Sequence, residues 1–263
     1  MPLSHVLEPT RGEFACCDPG RRQTNAERPS RPSSDRQSPG AAHRLSGASA
    51  SRKAVCPTLH HFGLKTSNLD AMVDWYGKVL GMKPNHRTST TNAAQGNSRW
   101  RIAWVSNDEA NHRISIMGLP RLADDEQRSR HKGVHHIAFE YPTLDDLLAT
   151  YARLKMLAIE PVCAADHGAT TSFYYEDPDR NSIELMVDNF GDAEQSSDFM
   201  RRSSDFANNP MGADVDPEQI YAARWAGMTV AEIHERAYAG EFCGANAYYR
   251  HCLAAAANQT AVR

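Results

Sequence analysis

The sequence contains one short phrase twice, "TLHHFGLKT" at residues 58–66 and "GVHHIAFEY" at residues 133–141. Each copy places two histidines in front of alternating apolar residues, which is the pattern of a half-buried β-strand. The second copy follows the first by 75 residues, counted from His61 to His136. Because this spacing is too long for a solenoid unit, it predicts a duplicated module.

A predicted helix follows each of these strands. The segment "SNLDAMVDWYGKVLG" (67–81) has Ser67 as its expected N-cap, an apolar residue at every third or fourth position, and Gly81 as its stop. The segment "TLDDLLATYARLKML" (143–157) has Thr143 as the corresponding N-cap and a matching apolar face. Three more strands are predicted after each helix, near "NHRTSTT", "SRWRIAWVSN" and "HRISIMGL" in the first copy and near "IEPVCAAD", "TTSFYYED" and "NSIELMVD" in the second.

The predicted fold class is therefore α+β. Two βαβββ modules, at residues 55–120 and 130–190, are expected to form an open eight-stranded barrel-like sheet. Together they make one domain over residues 55–190. The concave side of such a sheet is where a binding site is expected.

Both ends of the chain are predicted to differ from this domain. Residues 1–54 are rich in Arg, Ser and Pro and poor in aromatic residues, so we predict disorder. Acidic residues in this segment argue against a transit peptide, and a start codon assigned too early is an equally good explanation. Residues 191–263 are predicted to form a helical tail, with helices from Asp216 and Thr229, packed on the core or on a second subunit.

The composition is that of a soluble globular protein, with 41% hydrophobic residues and a net charge of −3. Without a cluster of positive charge, neither a nucleic acid nor a membrane is a predicted partner. The six cysteines follow no metal-binding or secretory pattern. No apolar run reaches the roughly 18 residues that a membrane span needs, so we predict a cytoplasmic protein.

Strand alternation separates the two histidines of each doublet. Side chains along a strand point alternately to its two faces. His60 and His135 share a face with the apolar residues, so we expect them to be packed under the helices. His61 and His136 are expected to point to the open, concave face of the sheet.

Glu184, in the last predicted strand, is expected to face the same cavity. A carboxylate inside a sheet needs a cation, a hydrogen-bond partner or a proton. Two imidazoles and one carboxylate are the ligand set of a non-haem Fe(II) site with open positions. We therefore predict that His61, His136 and Glu184 bind Fe(II), or Mn(II), in the middle of the sheet. Each residue alone is better explained as a hydrogen-bonded core residue, and only their symmetric placement favours the metal.

The run "DHGATTSFYYEDPDRNSIEL" (166–185) resembles the signature of extradiol ring-cleavage dioxygenases of the vicinal oxygen chelate superfamily. The matching positions are His167, Phe173, Tyr174, Asp177, Pro178 and Glu184. Two positions depart from the signature, with Arg180 in place of Gly or Pro and, two residues before His167, Ala165 in place of Gly or another residue that the signature allows. The paired modules match the superfamily's paired βαβββ units over about residues 57 to 190.

This resemblance implies roles for five residues. His61, His136 and Glu184 would be the Fe(II) ligands, in agreement with the strand faces. His167 would contact bound oxygen or move a proton, and Tyr174 would hydrogen-bond the substrate oxygen. The structural alternatives are a solvated loop for His167 and a barrel-lining ring for Tyr174.

The resemblance also implies a function: insertion of O₂ into a catechol-type aromatic diol beside its two hydroxyls. The partners would be the diol, O₂ and further copies of the chain in a homo-oligomer. The alternatives are a glyoxalase-like metal-dependent isomerase or lyase and a non-catalytic protein that sequesters a drug. Members with glyoxalase activity usually add a carboxylate from the first module's last strand, where this chain has Ser115, or Ile114 if the alignment shifts by one.

Overall fold

The computed structural model describes residues 55–88, 101–125 and 127–243. The predicted disorder of residues 1–54 lies outside these ranges, as does the end of the "NHRTSTT" segment. The chain divides into two units between Leu59 and His60, and every helix and strand described below belongs to the second unit.

The first module has the predicted βαβββ order. It consists of β1 (Phe62–Thr66), α1 (Leu69–Leu80), β2 (Lys83–Arg87), β3 (Arg101–Ser106) and β4 (Ile114–Gly118). The four strands form one sheet in the order β1-β4-β3-β2. Strand β1 runs parallel to β4, and the other pairs are antiparallel.

The second module repeats this arrangement. It consists of β5 (Ile137–Glu140), α2 (Leu144–Met156), β6 (Cys163–Asp166), β7 (Thr170–Glu176) and β8 (Ser182–Asp188). Its sheet has the equivalent order β5-β8-β7-β6, with β5 parallel to β8. The α+β class is confirmed. Because the described strands form two sheets, the single barrel-like sheet stays a prediction.

The helix starts follow local hydrogen bonding. The prediction of Ser67 as the α1 cap is wrong, since the cap is Asn68, whose side chain accepts a backbone N–H from the first turn. Thr66 Oγ1 accepts the Asn68 N–H at 2.9 Å, which ends β1 there and moves the helix start by one residue. Thr143 is the α2 cap as predicted and accepts the Asp146 N–H at 3.1 Å.

Strand alternation sorts the side chains as predicted. Phe62 and Leu64 of β1, and Ile137 and Phe139 of β5, pack against the core formed with α1 and α2. Their neighbours on the other face of each strand are exposed. The Phe62 and Phe139 rings lie 6.3 Å apart between centroids, so the two edge strands approach each other there.

Polar contacts join the helix side of one module to the other. Arg153 of α2 donates to the carbonyl of Lys78 at 2.6 Å and to that of Val79 at 3.4 Å, near the end of α1. This places a cation where a helix leaves its carbonyls unpaired. Tyr76 of α1 donates to the buried carboxylate of Asp177 in the β7–β8 turn at 3.0 Å. Burial raises the pKa of Asp177.

The tail packs on the second module of the same chain. It consists of α3 (Ala193–Arg202), α4 (Ser204–Asn208), β9 (Ala213–Asp214), α5 (Pro217–Trp225) and α6 (Val230–Tyr238). Strand β9 pairs antiparallel with β6 and extends the second sheet to five strands. None of the helices in the described ranges is long and apolar enough to cross a membrane.

The two helix starts predicted in the tail are confirmed. Asp216 caps α5 with Pro217 at its first position, and Thr229 forms a capping box with Glu232 at the start of α6. Arg224 of α5 also forms an ion pair with Asp145 of α2, with 2.7 Å between Arg224 Nε and Asp145 Oδ1.

Candidate metal centre

The histidine doublets lie just before their strands. Strand β1 begins at Phe62 and β5 at Ile137, so both doublets end one residue earlier. The prediction that His60 and His135 are packed is wrong, because both are exposed. Alternation along a strand buries every second side chain only where a helix covers that face of the sheet. His60 and His135 precede the first residues of β1 and β5, so alternation does not bury them.

Glu184 lies in the middle of β8 with only 5% of its surface exposed. The sheet register pairs it with Ala138 of β5 on one side and with Tyr174 of β7 on the other. Its Oε2 is 2.9 Å from His136 Nε2, and its Oε1 accepts the Tyr174 hydroxyl at 3.1 Å. Both carboxylate oxygens therefore have a partner, as a buried charge requires.

The donor pair of His136 and Glu184 fits one divalent ion. Imidazole nitrogen and carboxylate oxygen bind such ions at about 2.0 to 2.2 Å. Two ligands at right angles around the same ion are then about 3 Å apart, close to the 2.9 Å observed. The His136 side chain is 34% exposed, so the remaining positions around an ion would be open to small molecules.

Tyr174 connects Glu184 to His167. The Tyr174 hydroxyl is 2.9 Å from His167 Nε2, and the tyrosine itself is 3% exposed. On the other side of the ring, His167 Nδ1 is 2.8 Å from the main-chain carbonyl of Met211 in the tail. Polar contacts thus join four of the predicted site residues in one hydrogen-bonded series, in the order His136, Glu184, Tyr174 and His167.

The Met211 carbonyl fixes the position of one proton on His167. A carbonyl oxygen can only accept, so Nδ1 must carry hydrogen and Nε2 faces the tyrosine. The Tyr174 hydroxyl has one hydrogen, so it donates either to Nε2 of a neutral His167 ring or to Glu184. When the ring is charged, Nε2 donates to the Tyr174 oxygen, and the hydroxyl hydrogen is directed to Glu184. The same heavy-atom positions accommodate both protonation states, which suits a group that transfers protons.

His61 is placed differently from the other predicted ligands. Its ring centroid is 4.2 Å from that of His112, and its Nδ1 is 2.9 Å from that of His60. Across the part of the chain that the structure describes, this trio is the one group of three metal-ligating side chains whose ligand atoms lie within 4.8 Å of one another. The ligand set of His61, His136 and Glu184 stays a prediction.

Two parts of this site were not found by sequence reasoning. The acceptor for His167 is a main-chain carbonyl, which every residue has, so nothing in the sequence marks Met211. His112 lies in a loop just before β4, where strand alternation gives no direction for a side chain. Burial, together with the His61 and His60 rings, lowers the pKa of His112.

The register decides which residue of module one corresponds to Glu184. Glu184 pairs with Ala138 in β5, and Ser115 pairs with the equivalent Gly63 in β1. The counterpart is therefore Ser115 and not Ile114, and it is not acidic. A fourth carboxylate ligand is absent from this position of β4.

Arg180 occupies a strained turn between β7 and β8. Its φ is 62°, in the left-handed region that favours glycine. Its N–H donates to the Asp177 carbonyl at 2.8 Å, which closes the turn. Arg180 is exposed. Its departure from the Gly or Pro of the dioxygenase signature therefore affects the backbone conformation of this turn.

We expect Arg180→Gly to stabilise the protein by about 0.5 to 1 kcal/mol. A non-glycine residue pays about 1 to 2 kcal/mol in this conformation, and part of the gain is offset by the greater entropy of glycine in the unfolded chain. Urea unfolding of both proteins measures the difference, and an unchanged or lower midpoint would show that the turn holds no such strain.

Comparison of the sequence with known proteins identifies the family of the chain. The model of the Glyoxalase/Bleomycin resistance protein/Dioxygenase superfamily matches residues 58–185. Biphenyl-2,3-diol 1,2-dioxygenase 3 of Rhodococcus globerulus is 35% identical over 185 residues, which cover 70% of this chain and 91% of that protein. The chain belongs to this superfamily.

Two further relatives carry the names of two different enzymes. Biphenyl-2,3-diol 1,2-dioxygenase 2 of Rhodococcus globerulus is 36% identical over 70% of this chain and 90% of its own length. A lactoylglutathione lyase of Neisseria meningitidis is 30% identical over 51% of this chain and 93% of its own length. The resemblance to the dioxygenases is confirmed, and the superfamily as a whole spans several reactions.

Solved structures of this superfamily show lower similarity. A glyoxalase/bleomycin resistance protein/dioxygenase domain from Frankia sp. EAN1pec is 16% identical, with a TM-score of 0.42 over 51% of this chain and 93% of that one. A fosfomycin resistance protein from Listeria monocytogenes, solved with Mn(II), is 19% identical, with a TM-score of 0.39 over 54% of this chain and 98% of its own. Likeness at this level carries no information about activity.

Proposed function

We propose that the protein is an Fe(II)-dependent extradiol dioxygenase, which opens a catechol-type ring beside its two hydroxyls with O₂. The observation that most supports this is the hydrogen-bonded series from His136 through Glu184 and Tyr174 to His167. It joins a pair of metal-ligating groups to a pair of proton-carrying groups. The 35% identity to a biphenyl-2,3-diol 1,2-dioxygenase supports the same reaction class.

In this proposal His61, His136 and Glu184 hold the iron. When bound, the iron would supply a template for diol and O₂ and a path for electrons between them. Glu184 contributes a charge that is already desolvated and oriented by Tyr174. His61 would have to leave His112 to take part, and its exposed position before β1 permits this movement.

The remaining residues bind the substrate and move protons. A diol that binds through both oxygens loses a proton, and Tyr174 is placed to hydrogen-bond one of these oxygens. His167 can take up or return that proton through its Nε2, because Met211 holds the proton on Nδ1. The small side chain of Ala138, next to Glu184 in the sheet, leaves space for an aromatic ring.

The main competing function is that of a metal-dependent isomerase or lyase. A relative with lactoylglutathione lyase activity is 30% identical to this chain. The register argues for the dioxygenase, because the position that would supply a fourth carboxylate is Ser115. With three protein ligands, a metal keeps the open positions that a diol and O₂ together require.

The two functions differ in their need for oxygen. We expect iron-loaded protein to consume O₂ with at least one member of a panel of substituted catechols, with a ring-opened product detected by absorbance. Metal analysis of the same samples should give iron in proportion to activity. Turnover of a glyoxalase-type substrate without oxygen, together with no O₂ uptake by the iron-loaded protein, would contradict the proposal.

We expect Tyr174→Phe to lower kcat by about 10- to 100-fold while iron is retained. The substitution removes a hydrogen bond to a charged group, which is worth about 1.5 to 3 kcal/mol. Tyr175→Phe is the matched control, because Tyr175 is the next residue of β7, is fully buried and has a hydroxyl with no hydrogen-bond partner among the residues that the structure describes. Equal losses in both variants would show that the effect comes from packing and not from the Tyr174 hydroxyl.

A further inference from the structure

We propose that His60, His61 and His112 form a second metal site, which shares His61 with the proposed iron site, for a borderline divalent transition metal such as Zn(II). The ligand atoms of the three imidazoles lie within 4.8 Å of one another. Two of the three residues have no part in the iron site proposed above. The site lies wholly within the first module, whereas the iron site draws two of its ligands from the second.

The fold brings the three histidines together at one end of the first sheet. His60 and His61 directly precede β1, and His112 precedes β4 by two residues. Because β1 and β4 are neighbours and parallel, their starts lie side by side. Arg113 donates to the His60 carbonyl at 3.0 Å, which ties the two segments together.

The charge around the trio permits a bound cation. Arg113 is a cationic side chain that contacts this segment, and its Nε donates to Asp108 at 2.8 Å. This ion pair offsets the charge of the guanidinium next to the histidines. A divalent ion would therefore not meet an uncompensated positive charge from Arg113.

The chemistry of the trio selects the kind of metal. Imidazole suits Zn, Cu, Fe and Ni, and a set of three leaves a position for water. Nitrogen ligands of one tetrahedral ion, each about 2.0 to 2.1 Å from it, are about 3.3 to 3.4 Å apart. The three ligand atoms lie within 4.8 Å of one another, so any pair has to approach by at most about 1.5 Å to reach this spacing. His60 and His61 are exposed, and rotation of their side chains allows this adjustment.

The second module provides an internal comparison. It has the same doublet, with His135 Nδ1 2.8 Å from His136 Nδ1. The register aligns Ser115 with Glu184, so the position of His112 corresponds to Asn181. The second doublet therefore lacks the third imidazole, and His135 serves as a matched control for His60.

Sharing of His61 links the two sites, and this step rests on the proposed function. In the described structure the His61 ligand atoms lie within 4.8 Å of those of His60 and His112, whereas His61, His136 and Glu184 form no such group, so binding to the iron requires a different position of the His61 side chain. Zn(II) bound to the trio would therefore exclude one iron ligand and inhibit the enzyme reversibly. For a given set of ligands, Zn(II) generally binds more tightly than Fe(II), so the three imidazoles are expected to take up Zn(II) in preference to Fe(II).

Zinc binding can be tested without any enzymatic activity. We use the metal-free full-length Glu184→Gln protein, which lacks the carboxylate of the iron site, and titrate Zn(II) by calorimetry and Co(II) by its visible absorption. We expect binding of one ion per chain. Adding His112→Ala or His60→Ala should weaken it at least about tenfold, the scale of loss seen when even a supporting contact of a metal ligand is removed. Adding His135→Ala should leave it unchanged.

The possible results separate this proposal from the proposed function. Equal zinc affinity with and without His112, or an equal loss on replacing His135, would overturn the zinc site whether or not the protein is a dioxygenase. For the inhibition, the activity of iron-loaded protein with Zn(II) is divided by its activity without Zn(II). We expect this ratio to be lower for the unaltered protein than for His112→Ala, and equal ratios would contradict competition for His61.

Discussion

Glu184→Gln is expected to abolish most iron binding and activity, each by at least about 100-fold. The substitution keeps the size and hydrogen-bonding shape of the side chain but removes its charge, and the two neighbouring groups, His136 and Tyr174, remain in place. A ligand loss should exceed the 10- to 100-fold losses typical of supporting contacts. Iron content per chain and O₂ uptake with a catechol measure the two effects.

Stability distinguishes ligand loss from unfolding in this variant. A buried carboxylate costs free energy to desolvate, so the metal-free Glu184→Gln protein should unfold at the same urea concentration as the metal-free parent, or at a higher one. Ser115→Ala is the matched control, because Ser115 occupies the equivalent register position in the first module. An iron-containing, fully active Glu184→Gln protein would refute the ligand role of Glu184.

Gly212→Ala is expected to destabilise the protein by about 2 to 5 kcal/mol. Gly212 precedes β9 with a φ of +70°, and a Cβ atom there would lie 1.8 Å from the carbonyl oxygen of Asp166. The left-handed backbone costs about 1 to 2 kcal/mol for alanine, and the forced shift of main chain adds about 1 to 3 kcal/mol. The midpoint of urea unfolding gives the difference.

The same substitution should also reduce activity in the fraction that remains folded. A shift of residue 212 displaces the carbonyl of Met211, which is the acceptor for His167. Gly191→Ala is the control, since Gly191 has a similar φ of +65° and nothing within 4 Å of an added Cβ. It should cost only the backbone part, about 1 to 2 kcal/mol. Equal destabilisation in the two variants would mean that the β9 segment does not press against β6.

Much of the fold could be predicted because the repeat and the hydrophobic period agree with each other. The apolar spacing located both helices, and alternation located the strands on which Glu184 and Tyr174 lie. The start of α1 was missed by one residue because Thr66, and not the helix itself, determines where β1 ends. Pattern alone also could not decide between one barrel-like sheet and two sheets, which depends on contacts between strands far apart in sequence.

The site was predictable only where side chains are held by strands. The contact between Tyr174 and Glu184 follows from their positions on neighbouring strands and from alternation. The histidine doublets lie beyond the strand ends, so alternation failed for His60 and His135. His61 precedes β1, so rotation about its side-chain bonds sets the direction of its ring. In the structure this ring lies beside that of the loop residue His112.

The hydrogen bond from His167 to the Met211 carbonyl has a consequence for comparing relatives. Met211 is 42% exposed as a residue, and the hydrogen bond to the His167 ring uses its main-chain oxygen. Any amino acid can supply that oxygen, so the identity of residue 211 is free to vary during evolution. The number of residues between Asn209 and Ala213 is not free to vary, because an insertion or deletion would move this oxygen away from His167. We therefore expect alignments of active relatives to show a constant length and a variable composition at this point.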